Sequence, residues 1–268
     1  MKAKLIRILR YPVILFLLLV ITAVTQIGGP FYLLGLSLQK SLGRLKSWAL
    51  ALILYVLAVF TLIPLLASFN GRHALPLSGN VAPLNIMTCL LNRHYVRKSA
   101  YQGLVKTGEA LAARYPGTSI RYLDANFPLF NGFPLLPHLS HSDGKKVDIA
   151  FQYDEDENPS TATPSWIGYG HYEGPTKGEV DYNDICTSKG HFLYGLLGKL
   201  PMGDGEDYQF RADRTTFLVR SLHRLPQTQK IFIEPHLKRR WRLSGLEKVR
   251  FHGCHAVRHD DHIHWQVR

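Results

Sequence analysis

The stretch His259-Asp260-Asp261-His262-Ile263-His264-Trp265-Gln266-Val267 decides the reading of this chain. From Asp261 to Val267 polar and apolar residues alternate, the period of a strand with one buried face. Residues two apart in a strand share a face. Ile263, Trp265 and Val267 therefore supply core burial, while His262, His264 and Gln266 line the opposite side, with His259 and Asp261 at the entry to the strand. Two imidazoles over one surface suit metal binding or proton handling, because neutral imidazole is a good zinc donor and titrates near neutrality. H-x-H alone also fits a solvated, His-rich tail.

A second element gives the pattern weight. In Ser140-His141-Ser142-Asp143-Gly144-Lys145-Lys146-Val147-Asp148-Ile149, His141 ends a loop and Asp148 lies in another alternating segment, Lys146–Tyr153. Gly144 permits the turn that folds one towards the other. Together with the terminal histidines this makes a His/Asp/His set, and three protein ligands leave a fourth position open for water. The bland reading pairs Asp148 with Lys146 along its strand. Ser140 reads as a turn residue, since no Gly-x-Ser-x-Gly surrounds it. His138 reads as a loop residue beside the site, Arg121 as a carboxylate clamp or a solvated arginine, and His236, Arg239 and Arg240 as a basic surface face.

Further out, helical spacing predicts helices over Lys98–Tyr115 and Arg211–Arg224, with strands at Ser119–Leu123 and Gln229–Glu234. Pro116-Gly117 closes the first helix. Asp154–Glu179 is acidic and rich in Gly, Pro, Ser and Thr, as expected of a long exposed loop. The fold class is α+β, with strands that need not be parallel. Three cysteines, Cys89, Cys186 and Cys254, show no metal-type spacing. A Cys186–Cys254 bridge and three free thiols both fit the sequence.

The first 74 residues differ in kind. They hold no Asp or Glu, and they carry +8 of the chain's +12 formal charge. The apolar run 11–36 is broken at Thr25-Gln26-Ile27-Gly28-Gly29-Pro30, whereas the run 48–67 is continuous and about the ~20 residues a membrane-crossing helix needs. Basic residues flank both runs: Lys2, Lys4, Arg7 and Arg10 before the first, and Lys40, Arg44 and Lys46 between them. These expectations make residues 1–74 a membrane-anchoring region in a lipid bilayer, 75–83 a linker and 84–268 the functional domain. Two full spans return that domain to the cytoplasm. A first run that turns back at Gly28-Gly29-Pro30 keeps both basic clusters cytoplasmic and delivers it outside. The basic excess sits beside apolar runs, and no nucleic-acid module signature is present, so nucleic acid is not an expected partner.

The pattern His138-Leu139-Ser140-His141-x-x-Gly144-x-x-x-Asp148-Ile149, followed by His259-x-x-His262-x-His264, resembles the penicillin-insensitive murein endopeptidases. Those belong to a wider group of zinc peptidases that includes the D-Ala-D-Ala metallopeptidases, lysostaphin-type enzymes and the sonic hedgehog amino-terminal domain. The resemblance runs from about Lys98 to Arg268 and rests on about ten residues. It implies a small antiparallel sheet with flanking helices around one Zn2+. It implies His141, Asp148 and His264 as zinc ligands, with His262 and His259 lining the site. Asp261 stands where related carboxypeptidases keep an acidic base. The function implied is hydrolysis of amide bonds in peptidoglycan stem peptides or cross-links. Enzymes of this type are generally secreted; it is the membrane-anchoring region of this chain that places the expected enzyme in the bacterial inner membrane with its domain facing the periplasm. Asp261 or His262 would handle the proton, or His262 or His259 would stabilise the oxyanion. The competing expectation is a zinc-binding module without turnover that binds wall peptide or a protein partner. The chain departs from the family's pattern at Lys145-Lys146, where an apolar run is usual, and in the Asp154–Glu179 stretch.

Overall fold

The structure, a computed structural model, describes residues 2–195, 205 and 207–268. A helical unit comes first: α1 (Lys2–Thr25), α2 (Gly28–Ser37), α3 (Gln39–Leu42), α4 (Arg44–Phe60) and α5 (Leu62–Phe69). Next follow β1 (Arg72–Ala74), β2 (Val81–Pro83), α6 (Ile86–Leu90), β3 (Tyr95–Arg97), α7 (Lys98–Arg114) and β4 (Ile120–Tyr122). The chain continues through β5 (Lys146–Ala150), β6 (Tyr153–Glu155), β7 (Asn158–Pro159), α8 (Tyr182–Ser188) and β8 (Tyr208–Phe210). It finishes with α9 (Ala212–Arg224), β9 (Thr228–Phe232), α10 (Pro235–Arg240), β10 (Val249–Arg250) and β11 (His262–Val267). The α+β class and the positions of α7, β4, β5, α9, β9 and β11 agree with the sequence periodicities.

The principal sheet has six strands in the order β10-β9-β11-β5-β4-β2. Its centre is antiparallel, since β11 runs against both β5 and β9. Its edges are parallel, β10 on β9 and β2 on β4, so the expected antiparallel sheet is in fact mixed. The reason lies in the connections: α7 carries the chain back between β2 and β4, and α10 does so between β9 and β10. A parallel neighbour needs such a crossover, whereas a hairpin suffices for an antiparallel one.

The predicted alternation in β11 holds. Ile263, Trp265 and Val267 are fully buried with Val147, Ile149 and Ile231 of the neighbouring strands. Leu104 and Leu111 of α7 and Leu218, Val219 and Leu222 of α9 belong to the same core. The Trp265 indole donates to Thr228 Oγ1 at 2.9 Å, so this large side chain is buried without an unpaired N–H. Gly103 of α7 makes room for it, since a Cβ there would lie 2.9 Å from the Trp265 ring. Burying a tryptophan of this kind is worth about 3–5 kcal/mol against truncation to alanine.

Three segments differ from their compositional reading. Residues 75–83, expected as a linker, include buried Leu75 and the edge strand β2, whose Val81, Ala82 and Pro83 are all buried. Pro83 is tolerated there because an edge strand needs fewer of its N–H groups. Asp154–Glu179, expected as an exposed loop, starts as the β6–β7 hairpin and then folds inward to bury Thr163, Ser165 and Tyr169. Its first acid, Asp154, is paired with Arg211 and Arg214. His236, placed on a basic surface face, is buried, with Nε2 2.9 Å from the Glu173 carbonyl.

Run 48–67 is helical but not one helix. It divides at Thr61 into α4 and α5, which meet at a 44° bend. Pro64 lacks the N–H that would bond the Phe60 carbonyl, and its ring crowds that turn. Among the described residues no single helix is long and apolar enough to cross a membrane; the bent α4–α5 pair meets the requirement by length and composition. The first run breaks at Gln26, where φ is 67°, and α2 returns against α1. The basic side chains of Lys2, Lys4, Arg7 and Arg10 lie outside the described residues. The helical unit is fastened to the sheet domain at the turn: Gln26 Oε1 accepts from Leu129 N at 2.8 Å, and Tyr55 donates to the Leu90 carbonyl at 2.5 Å.

Arg72 links this junction to the rest of the molecule. Its guanidinium is fully buried and donates to the Phe127 carbonyl, to Asn131 Oδ1 at 2.6 Å and to the Ser142 carbonyl at 3.1 Å. One side chain thus gathers both ends of the loop that carries His138 and His141. Replacing Arg72 by Met would leave several buried acceptors unpaired, each costing about 1–3 kcal/mol. We expect Arg72→Met to lower unfolding free energy by at least about 3 kcal/mol, measured as a shift in urea midpoint at unchanged m-value.

Candidate metal centre

The register of β11 on β5 sets His264 directly opposite Asp148, with Ile263 opposite Ile149 and Trp265 opposite Val147. On the polar face His264 Nδ1 and Asp148 Oδ1 are 2.7 Å apart. His141 reaches the same point from its loop, its Nε2 lying 3.2 Å from His264 Nδ1 and 3.4 Å from Asp148 Oδ1. Gly144, at φ 81°, makes the turn that brings it there, and its N–H donates to Asn126 Oδ1 at 3.0 Å. His141 Nδ1 lies 2.6 Å from the Ala125 carbonyl. A carbonyl only accepts, so Nδ1 carries the proton and Nε2 presents its lone pair to the cluster.

These separations can be tested against a metal. Four donors at 2.0–2.1 Å around a tetrahedral ion are about 3.3 Å from one another. The two edges made by His141 match, and the shorter His264–Asp148 edge is a hydrogen-bond distance that a bound cation would lengthen. Two adjoining groups that share no residue could each hold a metal ion: His138, His141 and Asp148, and His259, His262 and His264, all six buried; the set His141, Asp148 and His264 draws on both. In each group the donor atoms lie within 4.8 Å of one another.

The proposed proton-handling residues divide in role. His262 Nε2 lies 3.8 Å from Asp148 Oδ1, inside the cluster. Its Nδ1 is bound by Asp261 Oδ1, and Asp261 Oδ2 accepts from Gly170 N at 2.7 Å. Asp261, expected at the mouth of the site, therefore sits behind His262 and is absent from the pocket wall. His259 faces the pocket, with its ring 5.0 Å from that of His262. Its backbone N–H donates to Glu234 Oε1 at 3.1 Å.

His138, read as a loop residue beside the site, is a wall of it, its Nδ1 held 3.2 Å from Asp124 and 3.1 Å from Asp148 Oδ2. Other site residues gave no sequence signal. Tyr169, from the stretch expected to be exposed, donates to Asp148 Oδ2 at 2.9 Å. Asp148 thus has one oxygen for His264 and His141 and the other for His138 and Tyr169, which displaces the pairing with Lys146. That lysine instead bonds Asp143 at 2.7 Å. Asp124, Tyr169 and Glu234 are scattered along the chain, and only the fold brings them together.

The electrostatics favour distinct protonation states. Burial alone would raise the Asp148 carboxyl, but His141, His262 and His264 hold it well below the usual range. Burial lowers His264 to about 4 and also holds His259 well below its usual value, which keeps both rings neutral, the form in which imidazole binds a metal. At His262 burial opposes protonation, yet Asp261 and Asp148 outweigh it and raise the pKa. At His138 the same contest, against Asp124 and Asp148, ends at about 10.

A pocket of about 450 Å³ opens over the cluster. Among the described residues its wall includes His138, His141, His191, His252, His255, His259, His262 and His264, with Asp148 and no Lys or Arg. Arg121 does not reach it. The outer wall is held by a Cys186–Cys254 disulfide, while Cys89 is free and buried. No protein-family model matches this chain, and no curated protein matches it either.

Each of His141→Ala, Asp148→Ala and His264→Ala should abolish the tightly bound equivalent of metal, since each removes one of three donors; elemental analysis of the purified variants after dialysis checks this. A second expectation concerns pH. Burial and the charge of Asp260 push Glu234 up to about 7 from 4.5. Between those values the unfolded chain releases a proton that the folded state keeps, so stability falls as pH rises from about 4.5 to about 7. The loss is at most about 3 kcal/mol. Glu234→Gln should flatten that slope in urea unfolding compared at pH 5 and pH 7.

Proposed function

We propose that this protein is a membrane-anchored zinc peptidase that hydrolyses amide bonds in peptidoglycan stem peptides or cross-links. The observation that carries the reading is the convergence of His141 Nε2, Asp148 Oδ1 and His264 Nδ1 at 2.7–3.4 Å in the floor of a pocket. Two imidazoles and one carboxylate form a donor set suited to zinc, with one side left open to substrate. The motif resemblance selects peptidoglycan among amide substrates.

His141, Asp148 and His264 would hold the ion. When bound, zinc polarises a carbonyl and lowers the pKa of a bound water towards ~7. The remaining steps belong to the chain's own groups. His262 is fixed by Asp261 through Nδ1, so only its Nε2 is free to take a proton and return it to a leaving amine. Asp261 acts through His262 as a positioning residue. His259, neutral and facing the pocket, offers a hydrogen-bond donor to an oxygen that gains charge. Leu139, Phe192, Ala256 and Val257 supply apolar walls that restrict water around the reacting groups.

Anchoring rests on the exposed apolar surface of the helical unit, where Leu52 is 63% and Leu65 56% exposed. Contiguous surface of that kind marks a membrane or protein contact. The α1–α2 turn lies against the sheet domain, and the chain from there leads back to Lys40, Arg44 and Lys46 before α4 returns. That path favours both basic clusters on one side and the domain on the other, which makes the domain periplasmic in a bacterial inner membrane. A reporter fused after Arg268 should be active outside the cytoplasm; cytoplasmic activity would overturn this placement.

The activity is tested by incubating the full chain with purified peptidoglycan, with and without a chelator, and analysing muropeptides by mass spectrometry. Chelator-sensitive loss of cross-linked or stem peptides is the expected result. Intact muropeptides with metal bound would favour a binding module instead. His262→Ala should retain metal and lower turnover by about 10²–10⁴-fold. Asp261→Asn should also retain metal and lower turnover, by disturbing the orientation of His262. Loss of metal in His262→Ala, with turnover per bound ion unchanged, would make His262 a ligand.

A further inference from the structure

Six of the eight pocket histidines belong to the inner end, where the His252 ring lies tilted against Phe232, with centroids 4.1 Å apart, and 5.6 Å from His259. The other two, His191 and His255, face each other in the outer wall with ring centroids 4.4 Å apart and ring planes at 79°. They come from segments 64 residues apart in sequence, yet one covalent link positions both. Cys254 immediately precedes His255, and His191 N–H donates to the Cys186 carbonyl at 3.1 Å, so the Cys186–Cys254 disulfide ties together the two backbone segments that carry the rings.

We propose that His191 and His255 form a second, outer site for a divalent transition-metal ion at the mouth of the pocket. Two imidazoles sharing one ion at about 2.0–2.1 Å have ring centres roughly 4.5–5.5 Å apart; the observed 4.4 Å is just short of that range, so the rings must open slightly to admit an ion. Among the described residues no hydrogen bond engages either ring, so their nitrogens are not committed elsewhere. Among the described residues no Lys or Arg lines the pocket to repel a cation. The disulfide ties the two segments together beforehand, which reduces the ordering cost of binding. Imidazole donors select zinc, copper, nickel or cobalt over magnesium and calcium, which take oxygen ligands. Water would complete the coordination, and without a carboxylate the outer site is weaker than the inner one. The proposal does not depend on peptidase activity.

The test is a Zn2+ titration of the full chain, stripped with chelator and then dialysed, followed by calorimetry with elemental analysis of the saturated protein. The wild type should show one tight and one weaker equivalent. His191→Ala and His255→Ala should each lose the weaker equivalent and keep the tight one. His255→Gln, which keeps size and hydrogen bonding but not the imidazole, should do the same. His141→Ala should show the converse, losing the tight equivalent and keeping the weaker. A wild type with a single equivalent, or a weaker equivalent that survives in both His191→Ala and His255→Ala, overturns the outer site. A weaker equivalent lost in those variants, with no tight equivalent in any protein, would leave the outer site standing and overturn the inner centre.

Discussion

His264 faces Asp148 because β11 pairs with β5 in one register and no other. A shift of one residue would turn every side chain of β11 to the opposite face. Trp265 and Ile263 would then be driven into the pocket and the histidines into the core. The energy that prevents this comes from the apolar side: Trp265, with its indole satisfied by Thr228 and its ring lying against Gly103, fits only one way. The core thereby specifies the polar cluster on the other face, although it contributes no atom to it. His141 then needs only a loop of the right length, held by Arg72 and turned by Gly144.

What could be read from the chain follows from this division. Alternation in Asp261–Val267 and Lys146–Tyr153 is a local signal, so the strands and the sharing of a face by His262 and His264 were legible. The pairing of those strands was accessible only through the motif resemblance. Asp261 is the instructive case: its position beside His262 suggested direct chemistry, but adjacent residues in a strand point to opposite faces, and the carboxylate turns back to bind Nδ1 and Gly170 N. Composition misled at 75–83 and at Asp154–Glu179 for a common reason. Polar, Gly- and Pro-rich segments are favoured in loops, yet Val81–Pro83 and Tyr169 are buried by contacts from distant elements that composition cannot register. The mixed character of the sheet has a similar origin, since strand direction is set by crossovers and not by the pattern within a strand.

The helical unit and the metal cluster are joined through very few groups. Gln26 bonds the start of the loop at Leu129, Arg72 gathers the loop at Phe127 and Ser142, and His138 and His141 lie within it. Residues from the first helical turnaround are therefore mechanically continuous with the site, a short path that runs through buried polar contacts and not through the sheet.

The pairing of β5 with β11 also joins residues far apart along the chain, 116 positions in the case of Asp148 and His264. Such long-range closure is slow, because chain entropy must be lost before the contact gives anything back. Until β11 arrives, β5 presents an open edge rich in Val and Ile, the type of surface that recruits other strands. An ion bound at the proposed site would give no help in that interval, since His264, one of the three donors, arrives only with the central strand. Expression yield should thus track the speed of this one docking event, and an ion held at the cluster would stabilise the finished protein without hastening its formation.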